Sequence, residues 1–202
     1  MSAPMFIGLG GKLRSGKDAV ADHLVDRHDF VKMGMSDPLL EHALILNPYV
    51  PINTRPNGLV GEEGLFVHLS DLVAQVGYVE AKKNPEVRRF MQADGTDGGR
   101  EFHHEDVWVD RMVKTAKAHL DAGKSIVVTG LRFPNELQAV QQLGGHTFWV
   151  DRPSEVDSAA PAAAHASENS VDASMFDRTI LNDGTLEDLY ATVDNLVKDY
   201  QL

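Results

Sequence analysis

The sequence predicts an α/β fold: a five-stranded, mainly parallel β-sheet between two layers of helices, three layers in all. Short apolar runs alternate along the chain with segments whose apolar residues recur at three- and four-residue spacing. A glycine-rich turn follows the first apolar run and leads directly into a helical pattern. The length of 202 residues corresponds to one domain at roughly 150 residues per domain.

Five segments have the apolar runs expected of strands. Met5 to Leu9 ends at Gly10-Gly11, which indicates a buried strand entering a tight turn. Ser125 to Thr129 is the most strand-like run in the chain. The predicted strands lie near residues 5–9, 30–33, 125–129, 146–150 and 179–181. Because helices separate them, right-handed crossovers are expected to cover both faces of a parallel sheet.

Helices are predicted where apolar periodicity meets start and stop signals. Asn84-Pro85 combines a capping residue with a proline at the first helical position, and Gly123 stands where a C-terminal cap is expected. Asp94 to Gly99 is expected to break the chain, and residues 47–64 to form a long surface loop. Helical segments are predicted at 16–28, from 36, at 70–83, from 84, at 109–120, at 135–143 and at 186–200.

Charge and composition exclude several classes of protein. The 19 Lys and Arg against 30 Asp and Glu give a net charge of −11, which argues against a general nucleic-acid or anionic-membrane surface. The absence of cysteine excludes a disulfide framework, a Cys-ligated zinc site and thiol catalysis. No run approaches the roughly 18 apolar residues of a membrane span, and no signal peptide is recognised, so a cytoplasmic location is expected.

Gly11 to Asp18 fits the phosphate-loop pattern G-x-x-x-x-G-K. Glycines let successive backbone N–H groups turn toward a phosphate, and the start of the next helix adds a favourable dipole. Lys17 is expected to reach the β- and γ-phosphates of ATP. The alternative is a structural turn with a solvated lysine. The predicted ATP-binding residues are Gly11, Lys12, Arg14, Ser15, Gly16, Lys17 and Asp18.

Asp18 stands where the pattern usually has Ser or Thr, whose hydroxyl supplies a Mg²⁺ ligand. A carboxylate is also a hard oxygen ligand, so Asp18 is the predicted metal residue, binding directly or through water. Equally open is an interpretation in which Asp18 only stabilises the first turn of the helix. Mg²⁺ is therefore the expected cofactor.

Other motifs are spread over most of the chain. They are Ser36 to Leu39, Gln92 to Thr96 with Arg100, Asp106 to Val109, Arg132 to Glu136, His165 to Glu168, and Asp177 to Gly184 with Asn182. Together with the phosphate loop, and in this order, they resemble the bacteriophage deoxynucleoside monophosphate kinases among the P-loop proteins. The resemblance implies the P-loop kinase fold and ATP-dependent conversion of a deoxynucleoside monophosphate to its diphosphate, with release of ADP.

The resemblance also implies roles for particular residues. Phosphoryl transfer needs positioning and charge neutralisation, which it assigns to three catalytic residues, Lys17, Arg132 and Arg152. It implies acceptor binding by Ser36, Gln92, Thr96, Arg100, Arg132, Glu136 and Glu168. It makes residues 36–108 an acceptor-binding region and residues 152–170 a lid over the phosphates, and it implies a homodimer.

One position departs from the family. Its members usually carry Asp two residues before the arginine of Arg132 to Glu136, whereas this chain has Gly130. A carboxylate that would help to hold Mg²⁺ is missing, so Asp18 becomes more important as the predicted metal ligand. No transition-metal site is predicted, because His103-His104-Glu105-Asp106 does not place two histidines on one helical face.

Two alternative functions stay open. One is another small-molecule kinase of this fold, resembling phosphomevalonate or dephospho-coenzyme A kinases, whose acceptor is not a nucleoside phosphate. The other is a non-catalytic nucleotide-binding module, which would bind ATP without producing ADP.

Overall fold

The computed structural model describes residues 3–52, 65–153 and 170–200. The chain divides into two compact units, Met1–Met35 with Val109–Leu202, and Ser36–Trp108. The second unit has the same limits as the region that the family resemblance assigns to the acceptor. In the described ranges, no helix is both long enough and apolar enough to cross a membrane.

Strands and helices are numbered in chain order. The strands are β1 (Phe6–Gly10), β2 (Val31–Gly34), β3 (Tyr49–Pro51), β4 (Phe66–His68), β5 (Ile126–Leu131), β6 (His146–Asp151) and β7 (Arg178–Leu181). The helices are α1 (Lys17–His28), α2 (Asp37–Leu46), α3 (Leu69–Val76), α4 (Tyr78–Ala81), α5 (Pro85–Ala93), α6 (Val107–Asp121), α7 (Pro134–Gln142) and α8 (Leu186–Tyr200).

Among the described residues of the first unit, five strands form one sheet in the order β2-β5-β1-β6-β7, and each adjacent pair is parallel. The predicted α/β class and five-stranded parallel sheet are confirmed. β1 lies at the centre: the chain leaves it toward β2 on one side and later crosses to β6 and β7 on the other. Ligands of open α/β sheets bind outside the carboxyl ends of the strands at such a reversal.

Two apolar clusters cover the two faces of this sheet. Ile7 and Leu9 of β1 pack in one cluster with residues of α1 and α8, including Leu24 and Val193. Phe6 belongs to the other cluster, which contains residues of α6 and α7. Successive side chains of a strand point to opposite faces, so this alternation along β1 produces the three predicted layers.

The Ser36–Trp108 unit has its own apolar core, which includes Ala43, Leu69 and Val87. β3 pairs with β4 in antiparallel orientation. The helix predicted at 70–83 is interrupted at Gly77, whose φ of 80° ends α3 before α4 begins.

The expected break at Asp94 to Gly99 is wrong, because α5 continues there into a π-helical segment, Asp94–Glu101. Contacts with Trp108 explain why the helix does not end at Asp94. Its Nε1–H donates to the carbonyl of Gly95 at 2.9 Å, and a Cβ at Gly99 would lie 2.6 Å from the same nitrogen. Gly99, one of the glycines that suggested a break, is small enough to let the indole pack against the segment.

Candidate functional site

The loop between β1 and α1 has an unusual backbone. Gly11, Arg14 and Gly16 all have positive φ, at 141°, 63° and 104°. Glycine adopts such angles without a steric penalty, whereas for Arg14 the left-handed conformation costs about 1–2 kcal/mol. The N–H of Ser15 donates to the carbonyl of Lys12 at 3.2 Å and closes the turn. The loop is therefore held in one defined shape.

Close contacts with distant strands explain why two positions of the pattern are glycine. A Cβ at Gly11 would lie 2.4 Å from the carbonyl oxygen of Val150 in β6, and one at Gly16 would lie 2.5 Å from Nδ2 of Asn182. Both distances are shorter than those that real Cβ atoms adopt. A side chain at Gly11 would therefore displace the backbone of β6, and one at Gly16 would displace the Asn182 amide.

Ser15 offers a polar atom to the interior of the loop. The residue is 3% exposed, and its buried Oγ has no hydrogen-bond partner among the residues that the structure describes. A buried hydroxyl left unpaired costs roughly 1–3 kcal/mol, which a bound phosphate oxygen would recover by accepting from it. This unsatisfied donor fits the predicted phosphate site.

Lys17 is the first residue of α1. Its Nζ donates to the carbonyl of Lys12 at 2.9 Å, so the ammonium group folds back over the loop that precedes it. The positive charge therefore lies beside the loop backbone, which is the place that the phosphate-loop interpretation requires.

Asp18 lies in the first turn of α1 with a side chain that is 74% exposed, and its Oδ1 is 3.5 Å from Nζ of Lys32. Lys32 also pairs with Asp22 at 2.8 Å. Burial alone lowers the pKa of Lys32, but the hydrogen bond to Asp22 and the charges of both carboxylates outweigh it and raise that pKa. Asp18 is thus an accessible carboxylate that pairs with Lys32, and both interpretations of it stay open.

Asn182, directly after β7, contacts the loop and was not among the predicted site residues. Its Nδ2 donates to the carbonyl of Ser15 at 2.8 Å, and its backbone N–H donates to the carbonyl of Asp151 at 2.7 Å. Asn182 therefore ties the loop to the carboxyl end of β6. The available signal was its place in the motif from Asp177 to Gly184.

The segment after β5 contains Arg132 and Glu136. Glu136 is 3% exposed, and its Oε2 accepts the backbone N–H groups of Arg132 at 2.7 Å and of Phe133 at 3.2 Å. This carboxylate starts α7 and fixes the backbone of Arg132, whose side chain is exposed. A role of Glu136 in acceptor binding stays a prediction.

Gly130, where the family usually has Asp, lies at an irregularity of β5. Leu9 pairs with Thr129 and Gly10 with Leu131, so the register against β1 skips Gly130. Its φ of 84° is one that side chains rarely adopt, although no described atom lies within 4 Å of a Cβ built there. The departure from the family coincides with a backbone conformation that favours glycine.

The residues expected to bind the acceptor are placed in the Ser36–Trp108 unit. Ser36 precedes α2, and its carbonyl accepts the N–H of Leu40 at 2.9 Å. Gln92 is exposed on α5, whereas Thr96 and Arg100 are half-buried in the π-helical segment. Their four-residue spacing puts Gln92, Thr96 and Arg100 on successive turns, and π-helical turns are frequent at functional sites.

The predicted lid falls mainly on residues outside the described ranges. Arg152 is described, as an exposed residue directly after β6. Glu168 and the rest of residues 154–169 lie outside the part of the chain that the structure describes.

Comparison with known proteins identifies relatives along most of the chain. The family model for deoxynucleotide monophosphate kinase matches residues 62–193. A protein of Acanthamoeba polyphaga mimivirus, provisionally named a deoxynucleotide monophosphate kinase, is 26% identical over 216 residues and 96% of each chain. The deoxynucleotide monophosphate kinase of Enterobacteria phage T4 is 25% identical over 240 residues, 95% of this chain and 98% of the phage protein.

Solved structures show the same fold. Dephospho-CoA kinase from Campylobacter jejuni aligns with a TM-score of 0.51 at 14% identity, over 98% of each chain. TT1252 from Thermus thermophilus aligns with a TM-score of 0.51 at 18% identity, also over 98% of each chain. At such identities the likeness concerns the fold alone, and it confirms the P-loop kinase fold class.

Proposed function

The chain belongs to the deoxynucleotide monophosphate kinase family and is a nucleotide kinase, and on that premise we propose that it transfers the γ-phosphoryl group of ATP to a deoxynucleoside monophosphate. The products are a deoxynucleoside diphosphate and ADP. The observation that carries the proposal is the loop after β1, where a Cβ at Gly11 or Gly16 would lie within 2.5 Å of another atom and the buried hydroxyl of Ser15 lacks a partner among the described residues.

The loop and the start of α1 bind the phosphates of ATP in this proposal. Backbone N–H groups provide fixed partial positive charge without reorganisation. When ATP binds, the Lys17 ammonium gives up its hydrogen bond to the Lys12 carbonyl and donates to phosphate oxygens instead. The Ser15 hydroxyl donates to a further phosphate oxygen. Lys12 and Arg14 are exposed on the same loop and add positive charge, which matters in a chain whose net charge is −11.

Mg²⁺ bound with ATP supplies neutralisation of the charge on the phosphates. Asp18 fits as its protein ligand because the carboxylate is adjacent to Lys17 and largely exposed. Mg²⁺ keeps several waters and usually takes one or two carboxylates from the protein. We therefore propose that Asp18 holds the ion directly or through water.

Arg132 and Arg152 are proposed to neutralise the transferring group. They follow β5 and β6, the two strands that flank β1 in the sheet. Because all three strands are parallel, both arginines and the phosphate loop lie at the carboxyl edge of the sheet. Glu136 positions Arg132 through its backbone N–H. No general base is required, since the attacking phosphate oxygen of the acceptor is already anionic at neutral pH.

Ser36, Gln92, Thr96 and Arg100 are proposed to hold the acceptor nucleotide. A glutamine offers both a donor and an acceptor to a base edge. Arg100 binds a monophosphate through two parallel N–H donors. Glu168 is proposed for the same role from the sequence motif alone.

ADP release with a panel of deoxynucleoside and ribonucleoside monophosphates tests the proposal. We expect turnover with at least one deoxynucleotide, and a fall of several orders of magnitude in Lys17→Ala, because the loop lysine holds the β- and γ-phosphates. The thermal midpoint should change little, because the hydrogen bond that the Lys17 ammonium donates is exposed. Lys117→Ala removes an exposed lysine of α6 and serves as the matched control.

Two results would contradict the proposal. One is near-normal turnover of folded Lys17→Ala, which would remove the role of the loop lysine. The other is ADP release only with acceptors that are not nucleotides, which would leave the loop assignment intact and overturn the acceptor.

A further inference from the structure

Three side chains that the proposed function does not use converge between α1 and α8. Nε2 of His23 lies 2.8 Å from Oδ1 of Asp194, and Nε2 of His28 lies 2.7 Å from the same oxygen. One potential ligand atom from each residue lies within 4.8 Å of the other two. Both imidazoles are directed at the same carboxylate oxygen, and two imidazoles with a carboxylate form a donor set suited to a first-row transition metal.

The fold brings these residues together although their spacing in sequence does not predict it. His23 lies within α1, whereas His28 is its last residue, and five positions do not separate neighbours on a regular helix face. Tyr190 and Asp194 are four residues apart on α8, so they are neighbours there. The Tyr190 ring stacks on the His23 ring at 4.1 Å and 8°, which fixes the orientation of that imidazole.

Burial is graded across the cluster. The exposed fraction of the side chain is 9% for His23, 20% for His28 and 34% for Asp194. The imidazoles are thus partly screened from water, while the carboxylate side stays open to solvent. A site of this kind allows entry of an ion and leaves room for a water ligand.

We propose that His23, His28 and Asp194 bind one divalent transition-metal cation of the zinc type. Each imidazole coordinates through Nε2, Asp194 coordinates through its carboxylate, and water occupies the fourth position. Neutral imidazole and carboxylate favour such a cation over Mg²⁺ or Ca²⁺, which prefer oxygen ligands alone. The site is therefore distinct in chemistry from the Mg²⁺ site proposed at Asp18.

Binding of a metal ion requires both imidazoles to move back from the Asp194 oxygen. Ligand atoms at about 2.0–2.1 Å from a tetrahedral zinc ion lie about 3.3 Å from one another. The two nitrogen–oxygen distances of 2.8 and 2.7 Å must therefore lengthen by about 0.5 Å. A neutral imidazole that donates from Nε2 must take up the Nδ1–H tautomer before Nε2 can coordinate the ion, and this change releases no net proton.

Zinc at this position would link α1, which begins at the end of the phosphate loop, to α8. α1 begins at Lys17, and α8 follows the segment in which Asn182 contacts Ser15. The expected effect is stabilisation of the folded chain, which does not depend on the identity of the phosphoryl acceptor.

Zinc titration of the full chain, without an affinity tag and without nucleotide, tests the proposal. Calorimetry should give one high-affinity Zn²⁺ per chain. At free zinc one hundred times the Kd, the thermal midpoint should rise on the order of 5–10 °C. Mg²⁺ alone should produce no such shift. Co²⁺ at the same site should give the visible absorption of a tetrahedral ion.

Variants locate the site. His23→Gln, His28→Gln and Asp194→Asn should each weaken zinc binding by at least about 10- to 100-fold, since changes outside the ligand shell already have effects of that size. His119→Gln removes a histidine of α6 and should bind zinc as the wild type does. His28→Gln keeps the test usable if the more buried His23→Gln does not fold.

Absence of stoichiometric zinc binding in the wild type overturns the proposal. So does zinc binding of unchanged strength in both His28→Gln and Asp194→Asn. The three residues are then only a hydrogen-bonded link between α1 and α8, and the variants lower the thermal midpoint equally with and without zinc.

Discussion

Replacing Gly11 by alanine tests how the phosphate loop is held against the sheet. Gly11 has a φ of 141°, and a Cβ there would lie 2.4 Å from the Val150 carbonyl oxygen and 2.7 Å from Oγ of Ser15. Gly123, which follows α6, also has a positive φ, at 74°, but no described atom lies within 4 Å of its added Cβ. Both alanines meet backbone strain, and only Gly11→Ala also meets a clash.

The structure sets the size of the difference. Backbone strain is on the order of 1–2 kcal/mol at either position. At Gly11 the distance to the Val150 carbonyl must also grow from 2.4 Å to at least 3.0 Å, although that carbonyl belongs to the backbone of β6. Overpacking of this kind costs about 1–3 kcal/mol. We expect a loss of about 2–5 kcal/mol for Gly11→Ala and about 1–2 kcal/mol for Gly123→Ala.

Urea unfolding of both variants and the wild type measures these losses, and titration calorimetry at a temperature where all are folded measures ATP affinity. Gly11→Ala should bind ATP more weakly, because the loop must move away from β6. Gly123→Ala should keep the wild-type affinity. Equal destabilisation of the two variants would show that the contact with Val150 does not constrain the loop, and the reasoning would be refuted.

Three further predictions concern the residues around the loop. Asn182→Ala removes the hydrogen bond to the Ser15 carbonyl and should lower the free energy of unfolding in urea by about 0.5–1.5 kcal/mol. The same variant should raise the KM for ATP, and an unchanged KM would exclude a role of Asn182 in holding the loop. If Asp18 holds Mg²⁺, Asp18→Ala should raise the Mg²⁺ concentration for half-maximal rate, and Asp18→Ser should restore much of the activity. Superimposable Mg²⁺ curves would leave Asp18 as a helix-start residue worth about 0.3–1 kcal/mol. Burial lowers the pKa of Lys32, but its pairing with Asp22 and Asp18 outweighs burial and raises that pKa overall. The pairing therefore contributes stability that is fully present below the usual pKa of 10.5. This stability is lost as the pH rises through the raised pKa. The difference in thermal midpoint between the wild type and Lys32→Met should therefore be constant near neutral pH and shrink above about pH 10.5; a difference independent of pH would contradict this.

Local patterns in the sequence were sufficient for the fold class. Short apolar runs alternating with helical periodicity predicted the parallel sheet, because each element depends mainly on neighbouring residues. Asn84 begins α5 as its capping pattern indicates, with its side chain accepting the N–H groups of Glu86 and Val87. Gly123 follows α6 with the positive φ expected of a C-terminal cap.

The sequence by itself also determined the strand, the glycine turn and the helix that form the phosphate loop, since all three lie in one short stretch from Phe6 to His28. Only the tertiary structure decided which distant groups hold that loop and which side chains meet elsewhere. Asn182 reaches Ser15 across 167 positions, and Asp194 reaches His23 across 171. Such contacts depend on which strands become neighbours and which helix faces pack together. The spacing of residues along the chain does not encode this arrangement, because the packing of the whole sheet determines it.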